Sequence, residues 1–427
     1  MSIKTLHITN SYHPASGGVR TFYNALIRAA NEARRPVRVV VPAAETHTED
    51  VGEYARIYHV EAPPVPFLDS RYRMFLPHSY AWPAATPLRR ILATEQPDLV
   101  EVCDKFYLCC LAGVLRQQWI AGLPVPAIVG LTCERLDNNV AAFLSASRVW
   151  KGLSRFYMRR VYVPRFDFHL AVSGYIAEEI RAALPRQQHD RIYVAPMGAD
   201  YDFFSQRNPE PGLRRTLLEQ LGGSHRTALL LYAGRLSKEK NLLLLADVLA
   251  VLANDSSFDY RLIVAGTGPF DSDLREALDS RVPGRSLFLG HCDREHLVAL
   301  YHAADAFLHA NPREPFGIAP IEAMAAGLPV VAPDSGGLLS YASSANAWLA
   351  APEPESFADA VRSILGDPET AGRKIAAARQ TAASFSLGQA TRRYFELYDH
   401  FHLRFLSELQ PLGRRSFAAD TSLHSAS

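Results

Sequence analysis

Short runs of β-branched and aliphatic residues alternate with segments of helical period from one end of the chain to the other. In the first half the apolar runs are 3–9, 37–41, 99–103, 127–131, 168–172 and 192–195. In the second they are 228–233, 262–265, 286–289, 306–309, 329–332 and 346–349. Between them lie stretches with the 3.6-residue pattern, such as 21–30 and 240–252. Continuous apolar strands separated by helices predict parallel sheets covered on both faces, because a parallel strand needs a crossover that packs back on its own sheet. Two sets of about six such units predict an α/β protein of two doubly wound, Rossmann-like domains facing a central cleft.

The seam is predicted where the last run of the first set ends and Arg207-Asn208-Pro209-Glu210-Pro211-Gly212 breaks the pattern. The reading is a first domain over 1–200, a linker over 201–225, and a second domain over 226–390. A helix over 391–410 is expected to return to the first domain, and the small, polar residues 411–427 to form a flexible tail. No internal repeat of solenoid length is visible.

Composition narrows the class of function. With 427 residues, 48% of them hydrophobic, the chain can bury two cores. The formal net charge of +1 argues against a nucleic-acid partner, which draws a strong basic excess. Residues 1–200 carry 23 basic and 18 acidic side chains and the remainder 22 and 26, so an anionic partner is expected on the first domain. The five cysteines, Cys103, Cys109, Cys110, Cys133 and Cys292, are odd in number and follow no metal-ligand spacing. They read as thiols in a reducing compartment. The first apolar stretch stops at Thr9-Asn10, and the best later run, 242–253, is interrupted by Asp247. Neither is a signal peptide nor the roughly 20 apolar residues of a membrane span, and the expectation is a cytoplasmic protein.

Candidate chemistry lies at the carboxyl ends of the runs, where ligands bind in parallel sheets. The first run ends in Asn10-Ser11-Tyr12-His13-Pro14-Ala15-Ser16-Gly17-Gly18, and a helix follows. Paired glycines at a helix N-terminus suit an anion, since unpaired N–H groups and the helix dipole both favour negative charge there. The spacing of a dinucleotide-binding GxGxxG loop is absent. In the second domain Tyr232-Ala233-Gly234-Arg235 leads to Lys240-Asn241 before the next helix. Two cations near a helix N-terminus oppose its dipole and call for an external anion; a diphosphate suits, Arg235 forking two oxygens and Lys240 acting as a point charge. Glu314 and Glu322 stand eight residues apart, one in the loop Glu314-Pro315-Phe316-Gly317 and one in a helix. Facing one cleft, they can accept hydrogen bonds from vicinal hydroxyls of a sugar.

Gly17-Gly18, Gly234-Arg235-Leu236 with Glu239-Lys240-Asn241, Gly266-Thr267-Gly268-Pro269, and the Glu314-to-Glu322 segment running on to Gly327 occur in order. Together they resemble the retaining nucleotide-sugar glycosyltransferases called family four, which have the GT-B fold. The resemblance implies a first domain on the acceptor side and a second that binds the nucleotide sugar. It implies that Arg235 and Lys240 hold the donor diphosphate, approached by the amides of Gly17 and Gly18. Glu314 would contact the donor sugar, the amides of Phe316, Gly317 and Ile318 the sugar and phosphate, and Glu322 the ribose. The base would lie near Gly290 and His291, and Ser173 would line the first-domain side. The implied reaction moves a hexosyl group from a nucleoside diphosphate sugar, GDP-mannose or a UDP-hexose, to a hydroxyl of a glycan or glycolipid. It needs neither cofactor nor metal.

Two departures from the family pattern stand out. Cys133 falls where many members carry a histidine that contacts the donor sugar, and a thiol hydrogen-bonds weakly. Either the donor differs there, or Glu134 or His13 supplies the contact, or turnover is slow. Ser335-Gly336-Gly337-Leu338-Leu339 also lacks the acidic residue usual after the glycines. A nucleotide-sugar epimerase and a non-catalytic sugar-nucleotide-binding subunit remain as alternatives.

Two further segments need weighing. Asp271-Ser272-Asp273 has the DxD form of metal-dependent transferases, but its place after a Gly-Pro turn and before a helical run favours helix capping and first-turn charge. In 148–161, Arg148, Lys151, Arg155 and Arg159 share one helical face, and Trp150, Leu153, Tyr157 and Val161 another. This predicts either a helix with its apolar stripe in the core or peripheral contact with an anionic membrane.

Overall fold

A computed structural model describes residues 2–13, 17–65, 72–81, 86–117, 123–143, 147–206 and 210–417. Pro14, Ala15 and Ser16 of the first loop, Arg207, Asn208 and Pro209 of the seam, and residues 418–427 lie outside these.

Two α/β units are observed. The first contains β1 (Thr5–Thr9), β2 (Val37–Ala43), β3 (His47–Val51), β4 (Ala55–Glu61), β5 (Leu99–Cys103), β6 (Ala127–Thr132), β7 (Phe168–Ala171) and β8 (Ile192–Val194). They form one sheet in the order β3-β4-β2-β1-β5-β6-β7-β8. The second contains β9 (Thr227–Ala233), β10 (Asp259–Ala265), β11 (Ser286–Gly290), β12 (Ala306–Leu308), β13 (Val330–Pro333) and β14 (Trp348–Ala350), in the order β11-β10-β9-β12-β13-β14. All pairings are parallel except β3 with β4.

Every apolar run read from the sequence overlaps a strand. β1, β5, β6, β7, β9, β12 and β13 are buried along their whole length, as strands covered on both faces are, whereas β11 is half-buried throughout. The hairpin β3–β4 was not anticipated. β3 is His47-Thr48-Glu49-Asp50-Val51, polar and exposed along four of its five residues. It is held as an edge strand by cross-strand pairs, His47 stacked on His59 at 4.2 Å and Arg56 bonded to Asp50. Edge strands of this kind carry no hydrophobic signature.

Strand order reverses in the first sheet between β1 and β5, and in the second between β9 and β12. At such switch points the flanking helices leave to opposite faces and open a crevice beyond the strand ends. The two crevices face one another, and they place the site.

The C-terminal helix Leu387–Phe417 crosses back to the first unit and runs on through 411–417, where a tail was expected. The crossing is tied at Ala199, whose N–H donates to the Phe385 carbonyl and whose own carbonyl accepts from Leu387. Beyond it, Tyr394 donates to the Ala195 carbonyl, Phe401 stacks on Phe168 at 4.7 Å, and Tyr398 donates to buried Glu101 at 2.6 Å. Glu101 also accepts from Tyr23 and pairs with His7, so one buried carboxylate joins β1, β5, the helix Gly17–Glu32 and the C-terminal helix.

The helix Arg148–Tyr157 corrects the core reading of its apolar stripe. Ser154 and Met158 face inward and Tyr157 is half-buried, whereas Val149, Leu153 and Phe156 are 78%, 53% and 61% exposed, with Trp150 beside them. Lys151, Arg155, Arg159 and Arg160 are exposed too, and the side chain of Arg148 lies outside the described residues. A π-helical turn at Met158–Tyr162 follows and changes the helical phase, so the period read from the sequence does not carry through.

Candidate active site

Between the switch points lies a cavity of about 520 Å³. Its second-unit wall begins at β9. Gly234, at φ +152°, turns the chain out of the strand, and Tyr232 donates to the Arg235 carbonyl at 3.1 Å. Lys240 ends a single 3₁₀ turn, Lys238–Lys240. Asn241, left-handed at φ +56°, then hands the chain to the helix Leu243–Leu252 and ties itself to the Ala310 carbonyl.

Beyond β12, Glu314 is 8% exposed and receives the Lys240 ammonium on both oxygens, at 2.9 and 3.2 Å. Asn311 donates to it at 3.0 Å, and His309 Nε2 lies 3.5 Å away. Burial pushes the Glu314 carboxyl up, but the Lys240 charge, His309 and these hydrogen bonds outweigh it and hold the group at about 2. Burial drives His309 down to about 4, so its imidazole is neutral near pH 7.

Two helix N-termini border the same cavity, Gly17–Glu32 and Ile318–Ala326, contributing Gly17, Gly18, Phe316, Gly317 and Ile318 to its lining. A Cβ on Gly18 would overlap Ile318 Cδ1, so a larger residue there would have to push the tip of that side chain aside. Two positive dipole ends beside Arg235 and Lys240 concentrate positive potential at this end of the cleft.

The first unit contributes Cys103, Asp104, Lys105, Cys133, Glu134 and Asn138, among others, from beyond β5 and β6. The Cys103 and Cys133 thiols lie 3.6 Å apart, and that contact, together with burial, keeps Cys133 well above the usual thiol range. Burial also raises Glu134. Lys105 is committed to Glu179 and to the Glu134 carbonyl, and Arg135 to Asp137.

Arg235, Lys240, Glu314, Gly17, Gly18, Phe316, Gly317, Ile318, Cys133 and Glu134 thus meet in one cavity. Five expected residues are not among its lining. Ser173 lies beneath it, capping the helix Gly174–Ala183 and donating across the cleft to the Pro315 carbonyl at 2.5 Å. Glu322 points toward Tyr301, whose hydroxyl lies 3.4 Å from its carboxylate. Burial raises Glu322 to about 8, against weaker opposition from Arg294 and Tyr301. Gly290 ends β11 and exposed His291 follows it, at the sheet edge away from the switch point. His13 packs under Tyr72, ring centroids 4.0 Å apart.

Sequence reasoning missed Tyr72, Asn311 and His309. Asn311 carried a faint signal, three residues before Glu314; Tyr72 carried none, since only folding brings it to Arg235. Among the described residues no group of three or more His, Cys, Asp or Glu side chains is arranged to hold a metal ion. Asp271 of the DxD segment instead pairs with Arg275 one turn along its helix.

Residues 16–203 match the family model Glycosyltransferase Family 4, and residues 214–381 match Glycosyl transferases group 1. This chain is a family-four-type glycosyltransferase. Its relatives include a GDP-mannose-dependent alpha-(1-6)-phosphatidylinositol dimannoside mannosyltransferase of Mycobacterium tuberculosis, 29% identical and spanning 88% of this chain and 91% of that one. A D-inositol 3-phosphate glycosyltransferase of Xylanimonas cellulosilytica is also 29% identical, over 90% of this chain and 91% of its own. The fold of this glycosyltransferase, GT-B, recurs in HepE of Anabaena, solved with UDP, at a TM-score of 0.68 and 19% identity over 93% and 100% of the two chains. It recurs also in sucrose-phosphate synthase of Thermosynechococcus elongatus, at 0.70 and 18% over 98% and 100%.

Proposed function

We propose that this glycosyltransferase moves a hexosyl group, with retention at the anomeric carbon and without a metal or cofactor, from GDP-mannose or a UDP-hexose to a hydroxyl of a lipid-linked glycan. The observation that carries the reading is the Lys240–Glu314 pair at the β9/β12 switch point, with Arg235 and two helix N-termini beside it. In this reading the donor diphosphate takes Arg235 and Lys240, and the two cations act where charge develops on the leaving group. Glu314, freed to face the sugar, accepts its hydroxyls. A phosphate oxygen of the leaving group takes the acceptor proton on the same face, which gives retention. The family resemblance would have Glu322 serve the ribose, with the base toward Gly290 and His291, which requires the Glu322 carboxylate to leave Tyr301 when the donor binds. Cys133 and Glu134 stand on the acceptor side.

The exposed apolar face Val149, Leu153 and Phe156, with Lys151, Arg155 and Arg159 beside it, supports peripheral contact with an anionic membrane. Tyr157 connects that helix to the cavity wall, donating to the carbonyls of Lys105 and Phe106. A lipid-borne acceptor would therefore arrive beside the cleft. Among the described residues no helix is long and apolar enough to cross a membrane.

The test is to incubate the protein with GDP-mannose, UDP-glucose or UDP-N-acetylglucosamine and a phosphatidylinositol mannoside acceptor, with and without EDTA. The expected product has the donor's anomeric configuration by proton NMR and forms equally in EDTA. An inverted product, EDTA-sensitive transfer, or nucleotide binding without transfer would each overturn the proposal.

A further inference from the structure

We propose that Tyr72 is a positioning residue that aims the Arg235 guanidinium at the donor diphosphate across the cleft. The inference rests on the diphosphate reading of Arg235 and adds a group from the opposite unit to it. Arg235 is exposed on the second unit, where a long side chain would ordinarily sample many rotamers. Three contacts restrict it. Its carbonyl is held by the Tyr232 hydroxyl, its Nη2 donates to the Tyr72 hydroxyl at 2.9 Å, and its Cζ lies 5.8 Å from the centre of the Tyr72 ring.

Tyr72 is itself fixed. Its ring stacks on His13 at 4.0 Å with 19° between the planes, and His13 is 6% exposed, in the loop that leaves β1. The guanidinium therefore meets the first unit through a column of two rings anchored at the β1/β5 switch point.

The chemistry of the contact favours positioning over competition. A guanidinium has five N–H donors, and the phenol takes one. Arg235 still lines the cavity, so its remaining donors are presented to a ligand there as a fork. The phenol accepts without carrying charge, which leaves the cation available to a diphosphate. A carboxylate in the same place would neutralise it, as Glu314 does for Lys240. Fixing the side chain before the anion arrives reduces the ordering cost of binding, and the cost removed appears as affinity and rate.

The experiment is calorimetric binding of GDP and of UDP to wild type, Tyr72→Phe, Arg235→Ala, Lys240→Ala and the two double variants, with donor turnover measured alongside. Phenylalanine keeps the stack on His13 and removes only the hydroxyl, so the melting temperature should stay constant. Tyr72→Phe is expected to weaken nucleotide binding about 3- to 10-fold, a hydrogen-bond-sized loss, and to lower kcat by a similar factor. On the Arg235→Ala background the same change should have no further effect, and on Lys240→Ala it should persist in full. An undiminished effect on the Arg235→Ala background would overturn the inference, as would tighter binding by Tyr72→Phe, which would mean that the phenol competes with the diphosphate. Arg235→Ala binding nucleotide like wild type would remove the diphosphate reading itself, a result distinguishable because Tyr72 plays no part in it.

Discussion

At the scale of single residues, the pairing of Lys240 with Glu314 separates two cations that look equivalent in the sequence. Arg235 is exposed and meets a neutral phenol, so Arg235→Ala should leave the melting temperature nearly unchanged. Lys240→Ala instead strands a buried carboxylate, which costs stability until it is neutralised. Both should lower kcat/KM roughly 30- to 150-fold, the size of about 2–3 kcal/mol of charge-assisted stabilisation. The double variant Lys240→Ala/Glu314→Gln should recover the melting temperature but not the activity. Differential scanning fluorimetry and steady-state kinetics check both halves, and equal melting losses for the two single variants would contradict the pairing.

Glu322 makes a second prediction at this scale. Its folded value of about 8 lies above the ordinary 4.5, so between these pH values the folded carboxyl keeps a proton that the unfolded chain has released. Stability contributed by this group is present below about pH 4.5 and is lost as pH rises toward 8. Glu322→Gln cannot ionise and escapes that loss. Its melting temperature should exceed wild type at pH 8.5 by several degrees, at about 2–4 °C per kcal/mol, and the gap should close near pH 5. A gap independent of pH would show that burial is not what raises the group.

At the scale of elements, the helix Arg148–Tyr157 shows where periodicity misleads. The sequence offers a stripe of Trp150, Leu153, Tyr157 and Val161, and the fold uses Ser154 and Met158 as its inward face. Contact with the neighbouring helix Leu136–Phe143 and the π-helical turn at Met158–Tyr162 set that rotation, and neither has a local signature. Leu153 and Phe156 then stand in water, an arrangement a helix with no partner surface does not retain for stability. Leu153→Asp/Phe156→Asp should therefore leave the melting temperature within about 1 °C while abolishing co-sedimentation with phosphatidylglycerol vesicles at low salt. Vesicle binding equal to wild type would exclude this face as the membrane contact.

At the scale of the whole molecule, two glycines stand where the chain packs closely around the cleft. A side chain on Gly18 would press on the flexible tip of Ile318, whereas one on Gly337 would collide with the Pro315 carbonyl, which is backbone. Gly18 lies in the first turn of a helix, where alanine is intrinsically favourable. Gly18→Ala should keep or raise the melting temperature and yet lower donor affinity, because the cleft cannot close as far. Gly337→Ala displaces the loop that carries Glu314, and should reduce stability and activity together. Thermal unfolding and nucleotide binding measured on both variants check this, and a harmless Gly337→Ala would contradict the geometry.

Much of this architecture was legible in the residue order alone. The apolar runs became strands because burial on both faces of a parallel sheet demands uninterrupted hydrophobic residues, a local property. The grouping of the candidate residues was legible because glycines and cations at strand ends have few other uses: Gly17, Gly18, Arg235, Lys240 and Glu314 come together in one cavity. Long-range pairing decided the rest. The polar edge strand β3 exists through its partner β4, and Glu322 turned to Tyr301 rather than to the cavity. Ser173 became a tie between the units, and Tyr72 reached Arg235 across 163 residues of chain. Those outcomes depend on which surfaces meet when two independently patterned sheets dock, and no periodicity within either half encodes the encounter.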